Sequence, residues 1–145
     1  MEKREEKRKL DSIPVGSLGI IALNGCKTLG EKVDSYLVEW RTERENEHKN
    51  SLAFAGYMRD SYILKSKVSR FGSGEGKGEI LESVRGTDLY ILVDVCNYSL
   101  TYMVAGHKNH MSPDDHFQDL KRIIAAVGGK ARRITVVMPF LYESR

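Results

Sequence analysis

The amino-acid sequence predicts an α/β fold, with a mainly parallel sheet flanked by helices and a protruding glycine-rich hairpin. Three observations lead there. "DLYILVDV", residues 88–95, is a near-continuous apolar run, the pattern of a strand buried on both faces, as in a parallel sheet. Amphipathic helical stretches stand on either side of it in the sequence, and strands separated by helices argue for parallel neighbours joined by right-handed crossovers. Between them, Gly72, Gly74, Gly76 and Gly78 alternate with Ser73, Glu75 and Lys77, which suits an extended arm with few packing contacts of its own, since glycine offers no side chain.

Taken in order, "MEKREEKRKLDS" mixes charges of both signs and has nothing to bury, so residues 1–17 read as a charged flexible leader. "SLGIIALNGC" is a short apolar run closed by Asn24-Gly25, a buried strand ending in a turn. Leu29, Val33, Leu37 and Trp40 then recur at helical spacing among Glu31, Lys32, Asp34 and Glu39. They predict a helix from about Cys26 to Arg44 with Trp40 in the core. Residues near 46–60 break the period and read as an insertion; His48 within it has no second ligand at metal spacing.

"SYILKSKVSRF" alternates Tyr62, Leu64 and Val68 as a strand leading into the glycine segment, and "EILESV" resumes the strand with Ile80 and Val84. After residues 88–95, the stretch 98–111 is ambiguous and reads as a second insertion, where His107 and His110 suit an exposed loop. "SPDD" starts a helix: Ser112 caps it, Pro113 fits its first position, and Asp114 and Asp115 favour the positive end of its dipole. Phe117, Leu120, Ile124 and Val127 form the apolar stripe and Gly128-Gly129 end it. "RITVVMPF", about residues 134–140, is a second buried strand.

The 145 residues allow one domain with one modest core. With 23 basic residues against 20 acidic ones, the net charge of +3 gives no electrostatic case for a nucleic-acid partner, which would need clustered excess charge. No apolar run approaches the roughly 20 residues needed to span a bilayer, and the charged N-terminus lacks the apolar core of a secretory signal. Cys26 and Cys96 lack metal-ligand spacing and read as buried reduced thiols, which makes the cytoplasm the expected location.

Glycines around a lysine suggest a phosphate loop, but the spacing refuses it. Counting back from Gly76-Lys77, the first glycine of G-x-x-x-x-G-K falls on Phe71, and Gly78 stands where a magnesium-binding hydroxyl is required. No helix follows. A dinucleotide fingerprint fails for want of the strand–turn–helix frame. The residues themselves allow a hairpin tip presenting an aromatic face and a carboxylate, or an unstructured surface loop.

"FGSGEGKGEILESVRGTDLYILVD" resembles the ribose-phosphate pyrophosphokinases (phosphoribosyl diphosphate synthetases), whose segment reads F-S-N-Q-E followed by E-I-x-E-S-V-R-G-x-D-V-Y-I. Phe71, Glu75, Glu79, Ile80, Glu82, Ser83, Val84, Arg85, Gly86, Asp88 and Tyr90 carry the match. "GIIALNGCKTLGEKVDSYL" is similar to the family's opening strand and helix, and residues 112–145 to a later helix and strand ending in a proline-to-arginine segment. The likeness spans residues 18–145 and is interrupted near 46–60 and 98–111. It implies a phosphoribosyltransferase-like N-terminal domain. The implied activity is transfer of diphosphate from ATP to the C1 hydroxyl of ribose 5-phosphate, with Mg2+ as cofactor and self-association into a homo-oligomer.

Under that resemblance Phe71 stacks on adenine, Ser73 and Glu75 contact its edge, and Arg145 contacts the phosphate or ribose side of the nucleotide. Ser73 stands where the family has asparagine, and a hydroxyl cannot make a two-ended amide contact. The family's catalytic histidine, flexible basic loop and phosphoribosyl loop have no counterpart in these residues, so the resemblance assigns no catalytic or metal-binding residue here. It implies the N-terminal part of a larger enzyme, inactive alone, or the same part of a non-catalytic regulatory homologue.

Overall fold

The computed structural model describes residues 14–46 and 58–145. The expected leader lies largely outside these residues, as do His48 and most of the stretch near 46–60. The first strand, β1 (Ser17–Ala22), runs through Leu23 into a single 3-10 turn, Asn24–Cys26, and then into α1 (Lys27–Asn46). Residues 62–64 run beside β1: the Ile20 N–H donates to the Tyr62 carbonyl at 2.8 Å, and the Leu64 N–H to the Ile20 carbonyl at 2.7 Å. An antiparallel hairpin follows, β2 (Ser66–Arg70) and β3 (Gly76–Ile80), and then the central strand β4 (Thr87–Leu92). A second antiparallel hairpin, β5 (Thr101–Val104) and β6 (His107–His110), precedes α2 (Pro113–Val127) and β7 (Arg133–Val137).

Strands β1, β4 and β7 form a parallel sheet in the order β1-β4-β7, flanked by the two helices. This is the expected fold class. Successive residues of a strand face opposite sides, and the core divides accordingly. Ile21, Leu89, Ile91 and Val93 pack with Leu120, Ile123 and Val127 of α2, whereas Ile20 and Leu92 pack with Cys26 and Tyr62, under Val33 and Leu37 of α1. Gly86 begins β4 from a positive φ of 72°, a conformation glycine adopts without strain. Asp88 and Arg133 are direct cross-strand partners, and the guanidinium grips both carboxylate oxygens. The aspartate of the S-V-R-G-x-D run thus ties two strands together.

Several expectations are corrected. Trp40, expected in the core, is 58% exposed, and Leu29 is exposed as well. The helix is rotated because Gly30 faces the sheet so closely that a Cβ there would stand 2.6 Å from that of Ala22. Leu29, Tyr36 and Trp40 lie roughly 100° round the helix from that contact, at 100° per residue. Cys26 is buried but Cys96 is exposed, since the chain has already left the sheet there. The last strand ends at Val137 and is half exposed rather than buried, because among the described residues it is an edge strand with β4 as its one neighbour. The strand after the glycines begins at Gly76 rather than at Glu79, and the stretch 98–111 contains a hairpin.

Candidate nucleotide-binding site

In the first hairpin Arg70 pairs with Gly76, leaving residues 71–75 as its tip. Two bonds inside the tip close it: the Phe71 N–H donates to the Glu75 carbonyl at 2.8 Å and the Gly74 N–H to the Phe71 carbonyl at 2.9 Å. The turn requires φ of 92° at Gly74, which explains a glycine there. Ser73 Oγ donates to Glu75 Oε2 at 3.2 Å and accepts from the Glu75 amide at 3.4 Å. Phe71 is 51% exposed, and Ser73 and Glu75 are exposed too. An apolar ring, a hydroxyl and a carboxylate therefore stand on one short, closed loop.

Beneath the loop is a compact charge network. Arg70 Nη2 donates to Asp119 Oδ1 at 2.9 Å and lies 3.7 Å from Asp115 Oδ1, while Nη1 reaches the Gly74 carbonyl at 3.4 Å. Its guanidinium sits 4.7 Å from the ring centre of Tyr102, a cation–π contact. Arg122 shares Asp119 at 2.7 Å and lies so close to β3 that a Cβ on Gly76 would meet the guanidinium at 2.6 Å. Gly78 would likewise meet the Arg122 carbonyl at 2.8 Å. Gly78 is needed for this close approach because it meets helix backbone, and the flexible Arg122 side chain covers Gly76, so β3 has the packing that its composition did not promise.

The first turn of α2 anchors this network because it is itself fixed. Ser112 Oγ accepts from the Asp115 amide at 3.1 Å, and Asp115 Oδ2 accepts from the Ser112 amide at 2.9 Å, a reciprocal capping box. Burial alone would raise the Asp115 carboxyl, but the Ser112 amide and hydroxyl, Arg70 and Tyr102 outweigh it and hold it below the ordinary range. The same turn receives the end of the chain. Tyr142 Oη donates to Asp114 Oδ1 at 2.6 Å, which pushes the phenol up to about 12, and its ring meets Phe117 edge-on at 5.6 Å. A hollow of about 310 Å3 is lined by residues 140–145, including Arg145.

The structure thus brings Phe71, Ser73 and Glu75 together. Arg145 stands apart, with no hydrogen bond or ion pair to the loop among the described contacts. Another cavity, of about 700 Å3, opens between α1 and the sheet, lined by Leu18, Ile20, Val33, Leu37, Tyr90 and Leu92 among others. None of the expected site residues lines it.

Comparison with known families decides the lineage. The family model for the N-terminal domain of ribose phosphate pyrophosphokinase matches residues 18–145. The chain belongs to this family. A search of curated proteins gave no match. Members of the ribose phosphate pyrophosphokinase family are transferases of nucleotide biosynthesis that in general use Mg2+, ATP and ribose 5-phosphate. Among the described residues no group of three or more His, Cys, Asp or Glu side chains is placed to hold a metal. The carboxylates nearest the loop, Asp115 and Asp119, are engaged by Arg70 and Arg122. The described residues around the loop therefore do not fit a resident metal. No described helix is long and apolar enough to cross a membrane.

Sequence reasoning missed Arg70, Tyr102, Asp115 and Asp119 as the support of the loop. One signal was available: Asp115 and Asp119 are four residues apart, on one helix face, and Asp119 interrupts the apolar stripe beside Leu120.

Proposed function

We propose that this chain forms the nucleotide-binding part of a ribose-phosphate diphosphokinase. The reaction joins the C1 hydroxyl oxygen of ribose 5-phosphate to the β-phosphorus of ATP, breaks the α–β bridge, and releases AMP and a proton. Phe71 would stack on adenine, the Glu75 carboxylate would accept from its amino group, and Arg145 would meet the phosphate or ribose side with its fixed donor fork. The carrying observation is the closed 71–75 loop, which leaves Phe71 and Glu75 exposed while its backbone is engaged. Mg2+ would arrive with ATP, and its ligands would be the phosphates and groups outside the described residues. A homo-oligomer in the cytoplasm fits the family reading.

A second reading, a non-catalytic regulatory homologue, is favoured by Ser73, which stands where the resemblance has asparagine and whose hydroxyl is bonded to Glu75. AMP release that depends on ribose 5-phosphate separates the two, since only the enzyme shows it.

The binding test is Phe71→Ala in the intact protein. It should weaken ATP binding by about 1–3 kcal/mol, the scale of losing an aromatic from beneath a base, and leave ribose 5-phosphate affinity unchanged. Lys77→Ala is the control, because Lys77 pairs with Glu79 at 2.8 Å on the exposed side of β3. A Lys77 variant that loses ATP beside an unaffected Phe71 variant would reverse the assignment.

A further inference from the structure

We propose that the β5–β6 hairpin is a brace that orders the 71–75 loop within a single chain, with Tyr102 and Ala105 as positioning residues for nucleotide recognition. The link to a nucleotide rests on the function proposed above. The hairpin occupies one of the two stretches that interrupt the resemblance read from the sequence, and its contacts give that stretch a purpose. The Ala105 N–H donates to the Gly72 carbonyl at 3.0 Å. Val104 stands 3.5 Å from where a Cβ on Gly74 would be. Tyr102 covers the Arg70 guanidinium and places its hydroxyl 3.3 Å from both oxygens of Asp115.

The brace therefore bonds the loop directly once, through Ala105, sets Val104 against the open side of Gly74, and reaches the loop again through Arg70, which itself reaches the Gly74 carbonyl. All of these contacts use loop backbone or glycine positions, so Phe71, Ser73 and Glu75 stay available to a ligand. The hairpin turns on Ala105 and Gly106, at φ of 47° and 83°. A two-residue turn of this kind favours Asn-Gly or Gly-Gly, so Ala105 holds a strained conformation at the residue that donates to the loop. A loop ordered before the ligand arrives loses less conformational entropy on binding.

The base of the hairpin offers a clean excision, because the Met111 N–H donates to the Leu100 carbonyl at 2.8 Å. In the intact protein, residues 101–110 would be replaced by Asn-Gly. Hydrogen exchange would be followed at the amides of Phe71 and Gly74, whose acceptors lie inside the loop and survive the excision. ATP and ribose 5-phosphate would be titrated in parallel. Exchange should quicken about tenfold and ATP affinity fall about tenfold, the scale of leaving one residue's backbone unordered, with ribose 5-phosphate affinity unchanged. Tyr102→Ala should show part of both effects, and Tyr102→Phe, which keeps the ring over Arg70 and loses only the hydroxyl's contact with Asp115, should show a smaller part than Tyr102→Ala.

Exchange at the wild-type rate in both the excision and Tyr102→Ala overturns the brace. Faster exchange with unchanged ATP affinity overturns the positioning role. A wild-type protein that binds no ATP defeats the proposed function instead, while the exchange rates still decide whether the hairpin orders the loop.

Discussion

Helices α1 and α2 flank the same small sheet, yet they are held in opposite ways. Helix α2 begins on a reciprocal cap with Pro113 in its first turn, ends on Gly128 at φ of 56°, and buries His116, Asp119, Leu120, Ile123 and Val127. Helix α1 follows directly from a 3-10 turn without a side-chain cap, buries Gly30, half-buries Val33 and Leu37, and leaves Leu29, Tyr36 and Trp40 exposed. The boundaries of α2 are written in local chemistry, so its extent follows from its own residues. The rotation of α1 depends on a neighbour, since the close approach of Gly30 to Ala22 decides which face turns inward. The candidate site is built on the better-held helix: both the 71–75 loop and the end of the chain are tied to the first turns of α2.

That contrast can be broken most severely in the core. Ile123 is fully buried beneath β4, and Ile123→Ala should cost about 2–5 kcal/mol, the transfer term plus a cavity. Urea unfolding measures it directly. A loss below 1 kcal/mol would mean that the α2 side of the sheet collapses onto the gap and is no better packed than the α1 side.

The cap comes next. Ser112→Ala removes the acceptor for the Asp115 amide and should cost about 1 kcal/mol. Because Asp115 also contacts Arg70 and Tyr102, the same change should quicken exchange in the 71–75 loop. An unaltered loop would show that the cap and the site are independent.

Asp115 gives a smaller, pH-dependent effect. Its folded carboxyl titrates below its ordinary value, so the unfolded chain binds the proton more readily as the pH falls. The stability it contributes is fully present above the unfolded value and is lost as the pH falls through the folded one. Unfolding free energy should therefore decline below about pH 4, and Asp115→Asn should flatten part of that decline. An identical acid limb in the variant would assign the decline to other carboxylates.

How much of this was legible beforehand follows the same division. The buried central strand, the α2 cap and the parallel order were readable because each rests on a local pattern. The candidate loop was readable as an aromatic and a carboxylate on a turn. Its support was not, because Arg70, Asp119 and Tyr102 meet only when β2, α2 and β5 pack together, at separations of up to 49 residues. Trp40 failed for a similar reason. Helical spacing places it beside Val33 and Leu37, and only the Gly30 contact turns the helix far enough to expose it.

Trp40 is also the smallest predicted effect and the sharpest reporter. It is the one tryptophan in the chain, with its ring 6.0 Å from that of Tyr36 and tilted by 33°. A side chain this exposed has little burial to lose, so Trp40→Ala should shift stability by no more than about 0.5 kcal/mol, as surface substitutions do. Its fluorescence should be red-shifted and readily quenched by iodide. Both measurements use the intact protein, so both sense whatever else meets α1 there. A blue-shifted, protected emission together with a loss above 1 kcal/mol would show that this face is covered, by residues outside those described or by a second copy. The difference between the two helices would then belong to the described residues alone, and α1 would be as firmly held as α2.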